Sequence, residues 1–120
     1  MSFRVHRVYD RDVEGYRVLV DRLWPRGLTK EEANLDEWLK DVAPSTELRR
    51  WYGHEASRFD EFAHRYRAEL EESPAAEAVA HLLELSSRKP VILLLTATKD
   101  LDISGARVLA DHLDTLILPA

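Results

Sequence analysis

The chain has 120 residues, with 17 Lys plus Arg against 22 Asp plus Glu and a formal net charge of -5. That length suits a single domain with a single core, and the acidic balance argues against nonspecific attraction to nucleic acid or an anionic membrane except through a local patch. The absence of cysteine excludes thiolate catalysis, disulfides and sulfur-ligated metals, and nothing in the composition calls for an oxidising compartment.

Met1 to Arg7 is charged within a few residues and lacks the apolar run of a secretory signal, so a cytoplasmic location is the expectation. Arg4 to Tyr9 alternates imperfectly as a first strand, and the polar stretch Asp10 to Gly15 leads into a second, Tyr16 to Asp21. A hairpin or short loop between two neighbouring strands is the expected arrangement. Thr29-Lys30-Glu31-Glu32 is a capping box, and Leu35, Trp38, Leu39 and Val42 at helical spacing predict a helix from there to about Asp41. Pro44-Ser45-Thr46-Glu47 starts a short helix that Gly53 would end. Phe59, Phe62, Ala63, Tyr66 and Leu70 give an amphipathic helix. Ser73-Pro74 closes it and opens another, with Val79, Leu82 and Leu83 buried.

Val91 to Leu95 is apolar at every position, the pattern of a central strand covered on both sides and far shorter than the roughly 20 residues that cross a bilayer. A polar turn from Thr96 to Asp102 precedes a last helix capped by Asp102 or Ser104, with Ile103, Ala106, Leu109, Ala110 and Leu113 inside. The tail Thr115 to Leu118 reads as an edge strand. The fold class is therefore α/β: residues 1–120 form a single small domain with a mixed, mostly parallel sheet of 3–5 strands and helices on both faces.

If the strands at Leu19 and Leu93 are parallel neighbours, Asp21, Arg22 and Arg26 meet Thr96, Thr98, Lys99 and Asp100 beyond the carboxyl ends of the strands, where open α/β sheets take their ligands. Arg22 and Arg26 would grip a phosphate or carboxylate, with Thr96, Thr98 and the helix start at Ser45-Thr46 adding donors. Asp21 or Asp100 would act as base, and Lys99 or His54 would supply a proton. The indoles of Trp24 and Trp51 flank this corner and could stack on a ring, whereas Trp38 belongs to the packing. The competing reading is that the same groups only hold the corner together, Asp21 pairing with an arginine and Asp100 capping a turn.

The histidines show no metal-ligand spacing, and Walker, dinucleotide-binding and nucleophile-elbow motifs are missing, so no metal and no cofactor are expected. The expected partner is a small anionic (phosphate- or carboxylate-bearing) molecule, nucleotides included, with hydrolase- or transferase-type chemistry left open. Nucleic acid and membranes are not expected, and a monomer or homodimer is. The alternative is a noncatalytic interaction or regulatory module, with a nucleic-acid-associated version among its forms, that uses the surface from Trp51 to Arg67 and leaves the Arg/Asp cluster purely structural.

Val20-Asp21-Arg22-Leu23-Trp24-Pro25-Arg26-Gly27, Trp38 to Ser45, Leu48-Arg49-Arg50-Trp51-Tyr52-Gly53-His54 and Phe62 to Leu70 together resemble the YeaO-like branch of the DUF488 family. The resemblance implies a compact α/β domain of this length and no particular activity. Members of that branch carry Lys-Asp, matched by Lys99 and Asp100, and then an Asn-His pair at the start of the last helix. Ser104 and Gly105 stand there in this chain, so any role of that pair does not carry over.

Overall fold

In a computed structural model, which describes residues 3–117, four strands form one sheet: β1 (Phe3–Arg7), β2 (Tyr16–Leu19), β3 (Glu37–Trp38) and β4 (Ile92–Thr96). Their order is β1-β4-β2-β3 and every pairing is parallel, with Arg7 opposite Thr96 and Leu19 opposite Leu95. The strands at Leu19 and Leu93 are thus parallel neighbours. The first two strands are not neighbours, because β4 inserts between them. The polar segment after β1 is a return connection rather than a hairpin, since parallel strands need a crossover.

β4 is central because it can be buried on both faces. Ile92 and Leu94 join a large cluster with Phe62, Tyr66, Leu82 and Leu109, whereas Leu93 and Leu95 join Val8 and Leu19 on the other face. All four are fully buried, each worth about 1.5–3 kcal/mol of apolar transfer. The first cluster is covered by α2 (Thr46–Tyr52), α3 (Phe59–Leu70), α4 (Ala75–Ser86) and α5 (Gly105–Ile117). The second is closed by Trp24, Leu28, Leu35 and Trp38, from the segments on either side of the short helix α1 (Lys30–Ala33) and from β3.

The capping box forms as expected: the Glu32 amide donates to Thr29 Oγ1 at 3.1 Å and the Thr29 amide donates to Glu32 Oε1 at 2.9 Å. The helix does not run on to Asp41, because Asn34 turns left-handed (φ 47°) and ends it after one turn. Glu37–Trp38 then pairs with β2, and a single 3-10 turn follows at Lys40–Val42. Leu35 and Trp38 are core residues at helical spacing, but they reach that core from extended chain. The tail also departs from expectation: helix α5 continues through Thr115 to Ile117, and Leu118 lies outside the described residues. Ser104 caps α5 by accepting from the Arg107 amide at 3.1 Å, while Asp100 and Asp102 belong to a separate 3-10 turn. No helix among the described residues is long and apolar enough to cross a membrane.

Candidate functional site

β2 and β4 end side by side. Val20 continues the ladder by donating to the Leu95 carbonyl at 3.0 Å, and Asp21 Oδ2, next in line, accepts the Ala97 amide at 2.8 Å. The Asp21 carbonyl accepts the Trp38 indole N–H at 2.7 Å, which ties β3 to the same corner. Burial pushes the Asp21 carboxyl above its ordinary range; the Ala97 amide, the Thr96 hydroxyl and the positive charges of Arg49 and His54 oppose that shift without cancelling it. Thr96 is buried, and its hydroxyl lies 3.2 Å from both the Thr98 hydroxyl and the Thr98 amide, which fixes the first turn after β4.

Asp21, Thr96 and Thr98 are therefore brought together, whereas His54 lies exposed in the turn after α2, at φ 58° next to Gly53 at φ 54°, and acts on Asp21 electrostatically without a hydrogen bond to it. His54 stands with its ring centroid 6.0 Å from that of Tyr52. The Tyr52 hydroxyl donates to the Ile103 carbonyl at 2.6 Å, and burial, aided by the negative charge of Asp100, raises its pKa.

Several of the other expected residues have internal partners. Arg22 Nε donates to the Pro44 carbonyl at 3.3 Å and Nη2 to the Ala43 carbonyl at 3.1 Å, so two edges of its fork clasp the segment before α2. At the start of α2, the Ser45 amide donates to Glu69 Oε1 at 2.8 Å and the Ser45 hydroxyl to Glu69 Oε2 at 2.6 Å; an internal carboxylate sits where an external anion was expected. Thr46 is exposed as the first residue of α2. Asp100 Oδ1 accepts the Asp102 amide at 3.2 Å and caps its turn. Lys99 and Arg26 are exposed; the Arg26 carbonyl accepts the Tyr9 hydroxyl at 3.0 Å.

The indoles divide similarly. Trp24 donates to the Leu28 carbonyl at 2.7 Å and packs edge-on against Trp38 at 5.2 Å, so it is part of the second core. One cation, Arg65, lies 4.3 Å from the Trp51 ring centroid and another, Arg58, lies 5.5 Å away.

Three residues that sequence reasoning passed over shape the sheet ends. Arg49 is half-buried and acts electrostatically on Asp21. Arg7, at the end of β1, donates through Nη2 to the Ala97 carbonyl at 3.1 Å, so the main chain of Ala97 is held by Asp21 at its amide and by Arg7 at its carbonyl. At the opposite end of the sheet, Arg17 is 7% exposed and donates to three main-chain carbonyls, those of Ala33, Asp10 and Val8, all within 3.2 Å. The signal for Arg17 was its place between Tyr16 and Val18 in a strand covered on both faces, where a guanidinium must find acceptors. Nothing local marks Arg49, since its role depends on where α2 docks. No cluster of metal-ligating side chains occurs among the described residues.

Residues 2–118 match the family model described as the inactive DUF488-N3 subclade. The chain is 49% identical over 114 residues to the uncharacterised protein Rv3073c of Mycobacterium tuberculosis H37Rv, covering 92% of each protein. The uncharacterised protein Mb3100c of Mycobacterium bovis is similar to the same extent. The chain is 41% identical over 118 residues to the uncharacterised protein YeaO of Escherichia coli K12, covering 97% of this chain and 100% of that protein. No solved structure matches.

Proposed function

This chain belongs to the DUF488 family, in its YeaO-like branch, and we propose that it binds a small phosphate- or carboxylate-bearing molecule at the carboxyl ends of its strands without turning it over. The observation that carries this reading is the arrangement at Asp21. A half-buried carboxyl is held by a main-chain amide, and the side chains that act on it electrostatically, Arg49 and His54, make no hydrogen bond or ion pair to any described residue. Forked guanidinium donors, an imidazole and the Thr98 hydroxyl suit an oxyanion. The raised Asp21 pKa suits it as well, because a carboxyl that protonates readily ceases to repel the ligand. The exposed cations Lys99 and Arg26, on the loops that follow β4 and β2, would attract it from a distance.

Absence of turnover is favoured by the match of residues 2–118 to the inactive DUF488-N3 subclade. It is favoured too by the engagement of Asp100, Ser45 and Arg22 with partners inside the protein. The cytoplasm, where phosphorylated metabolites are abundant and where a cysteine-free acidic domain needs no special conditions, is the proposed location.

Calorimetric titration with inorganic phosphate and with a nucleoside monophosphate at low salt tests the reading. Saturable binding weakened about tenfold or more by Arg49→Ala, equivalent to about 1.4 kcal/mol, is the expected result. Binding that is unaffected by Arg49→Ala and His54→Ala, or no heat at millimolar ligand, contradicts it.

A further inference from the structure

The end of the sheet remote from Asp21 has a separate groove of about 410 Å³, lined by Glu14, Gly15, Tyr16, Asp36, Lys89 and Val91 among others. Its volume falls within the roughly 300–1,000 Å³ of small-molecule sites. Three features of the groove concern a cation. The Lys89 ammonium stands over the Tyr16 ring at 5.2 Å from its centroid, within the range of a cation–π contact. The Tyr16 hydroxyl donates to Glu37 Oε2 at 2.7 Å, and Glu37 Oε1 lies 2.7 Å from His81 Nε2, so the phenol is fixed and its ring enriched by a carboxylate. That hydrogen bond, with burial and the Glu37 charge, pushes the Tyr16 pKa up to about 12, so the phenol stays a donor.

Two carboxylates on the wall are only partly engaged: Asp36 is exposed, using Oδ2 to accept the Arg17 amide at 2.8 Å, and Glu14 is exposed and makes no hydrogen bond or ion pair among the described residues. The floor is rigid. Gly15, at φ 153°, packs its backbone so tightly on the core that a Cβ there would lie 2.9 Å from Leu93 Cγ.

We propose that this groove binds a small organic ammonium ion on the face of Tyr16, in a lining that also carries the carboxylates of Glu14 and Asp36, and that the Lys89 side chain occupies the place of that ligand in the free protein. An aromatic face flanked by carboxylates is the chemistry that recognises alkylammonium groups. Lys89 acts as an intramolecular competitor, and the affinity for an external amine is set by how easily its flexible stem swings away. The ammonium could arrive on a free amine or on a lysine side chain of a peptide, and the two sources share the same contacts.

Amide NMR titrations with the diamine putrescine, with Nα-acetyl-lysine methylamide and with acetate as a control test the inference. Putrescine should shift the amides around Gly15 and Tyr16 saturably, and Lys89→Ala should tighten it about threefold or more by removing the competitor. Tyr16→Phe keeps the ring and retains binding; Tyr16→Leu abolishes it. Should Tyr16→Leu fail to fold, Glu14→Gln combined with Asp36→Asn serves instead and weakens binding at least about threefold. Preference for the lysine derivative over putrescine assigns a peptide source, and the reverse preference a free amine. The inference is overturned if folded Lys89→Ala binds neither amine saturably, or if the shifts persist unchanged when the ring or both carboxylates are removed.

Discussion

Arg22 and Arg26 lie four positions apart on the same loop, yet the structure assigns them opposite sensitivities. Arg22 is half-buried and donates to the carbonyls of Ala43 and Pro44, both buried residues. Hydrogen bonds from a charged donor contribute about 1.5–3 kcal/mol each, and carbonyls left without a donor keep their desolvation cost. Partial solvent access at Arg22 lets water replace some of this, so two lost bonds in Arg22→Ala should cost about 2–3 kcal/mol. Unfolding entropy near 2.1 cal/mol/K per residue makes that a fall of about 8–12 °C in Tm for a chain of this length. Arg26 is exposed and its side chain makes no hydrogen bond among the described residues, so Arg26→Ala should change stability by less than about 0.5 kcal/mol. Urea unfolding of the two variants, followed by tryptophan fluorescence, separates them. Equal stabilities would refute the reasoning, because they would mean that the clasp on residues 43 and 44 contributes nothing.

Arg17→Met removes the donor shared by three carbonyls in a site that is 7% exposed and should cost about 3–4 kcal/mol by denaturant titration. Arg17→Lys should recover less than half of it, because an ammonium cannot fork to three acceptors. Gly15→Ala combines a left-handed φ with a Cβ at 2.9 Å from Leu93 and should lose about 2 kcal/mol or more in the same assay. Asp21 gives a pH signature. Burial holds its folded pKa above the usual value near 4, so its contribution is fully present below that value and is lost as pH rises through the folded pKa. The stability of the unmutated protein relative to Asp21→Asn should therefore fall as pH rises above about 4, and a rise there would contradict the burial argument.

The residues that announce themselves by pattern were legible. The capping box at Thr29, the stripe from Phe59 to Leu70 and the all-apolar Ile92 to Leu95 each specify an element through local chemistry or periodicity, and each appears. The meeting of Asp21 with the end of β4 was also legible, because two apolar strands in an α/β domain run parallel and end at one edge. What failed was length and neighbour choice. Leu35 and Trp38 have helical spacing, but the left-handed Asn34 stops the helix, and pairing of Glu37–Trp38 with β2 then outweighs local propensity. Strand order was not legible, since nothing near residue 10 says that a strand starting at Ile92 will insert between the first two. At the candidate site, sequence marks charge but not commitment: Ser45 and Arg22 read as donors for a ligand, and Glu69 and the carbonyls of Ala43 and Pro44 take their hydrogen bonds from distant parts of the chain.

The most direct test of the proposed anion site is an amide NMR titration of the unmutated protein with inorganic phosphate, read at both ends of the sheet. The account predicts saturable shifts at Ala97, Thr98 and Lys99, stronger at lower pH as Asp21 takes up its proton, with Glu14 to Arg17 unmoved. Shifts scattered over the surface without saturation, or confined to residues 14–17, would contradict it.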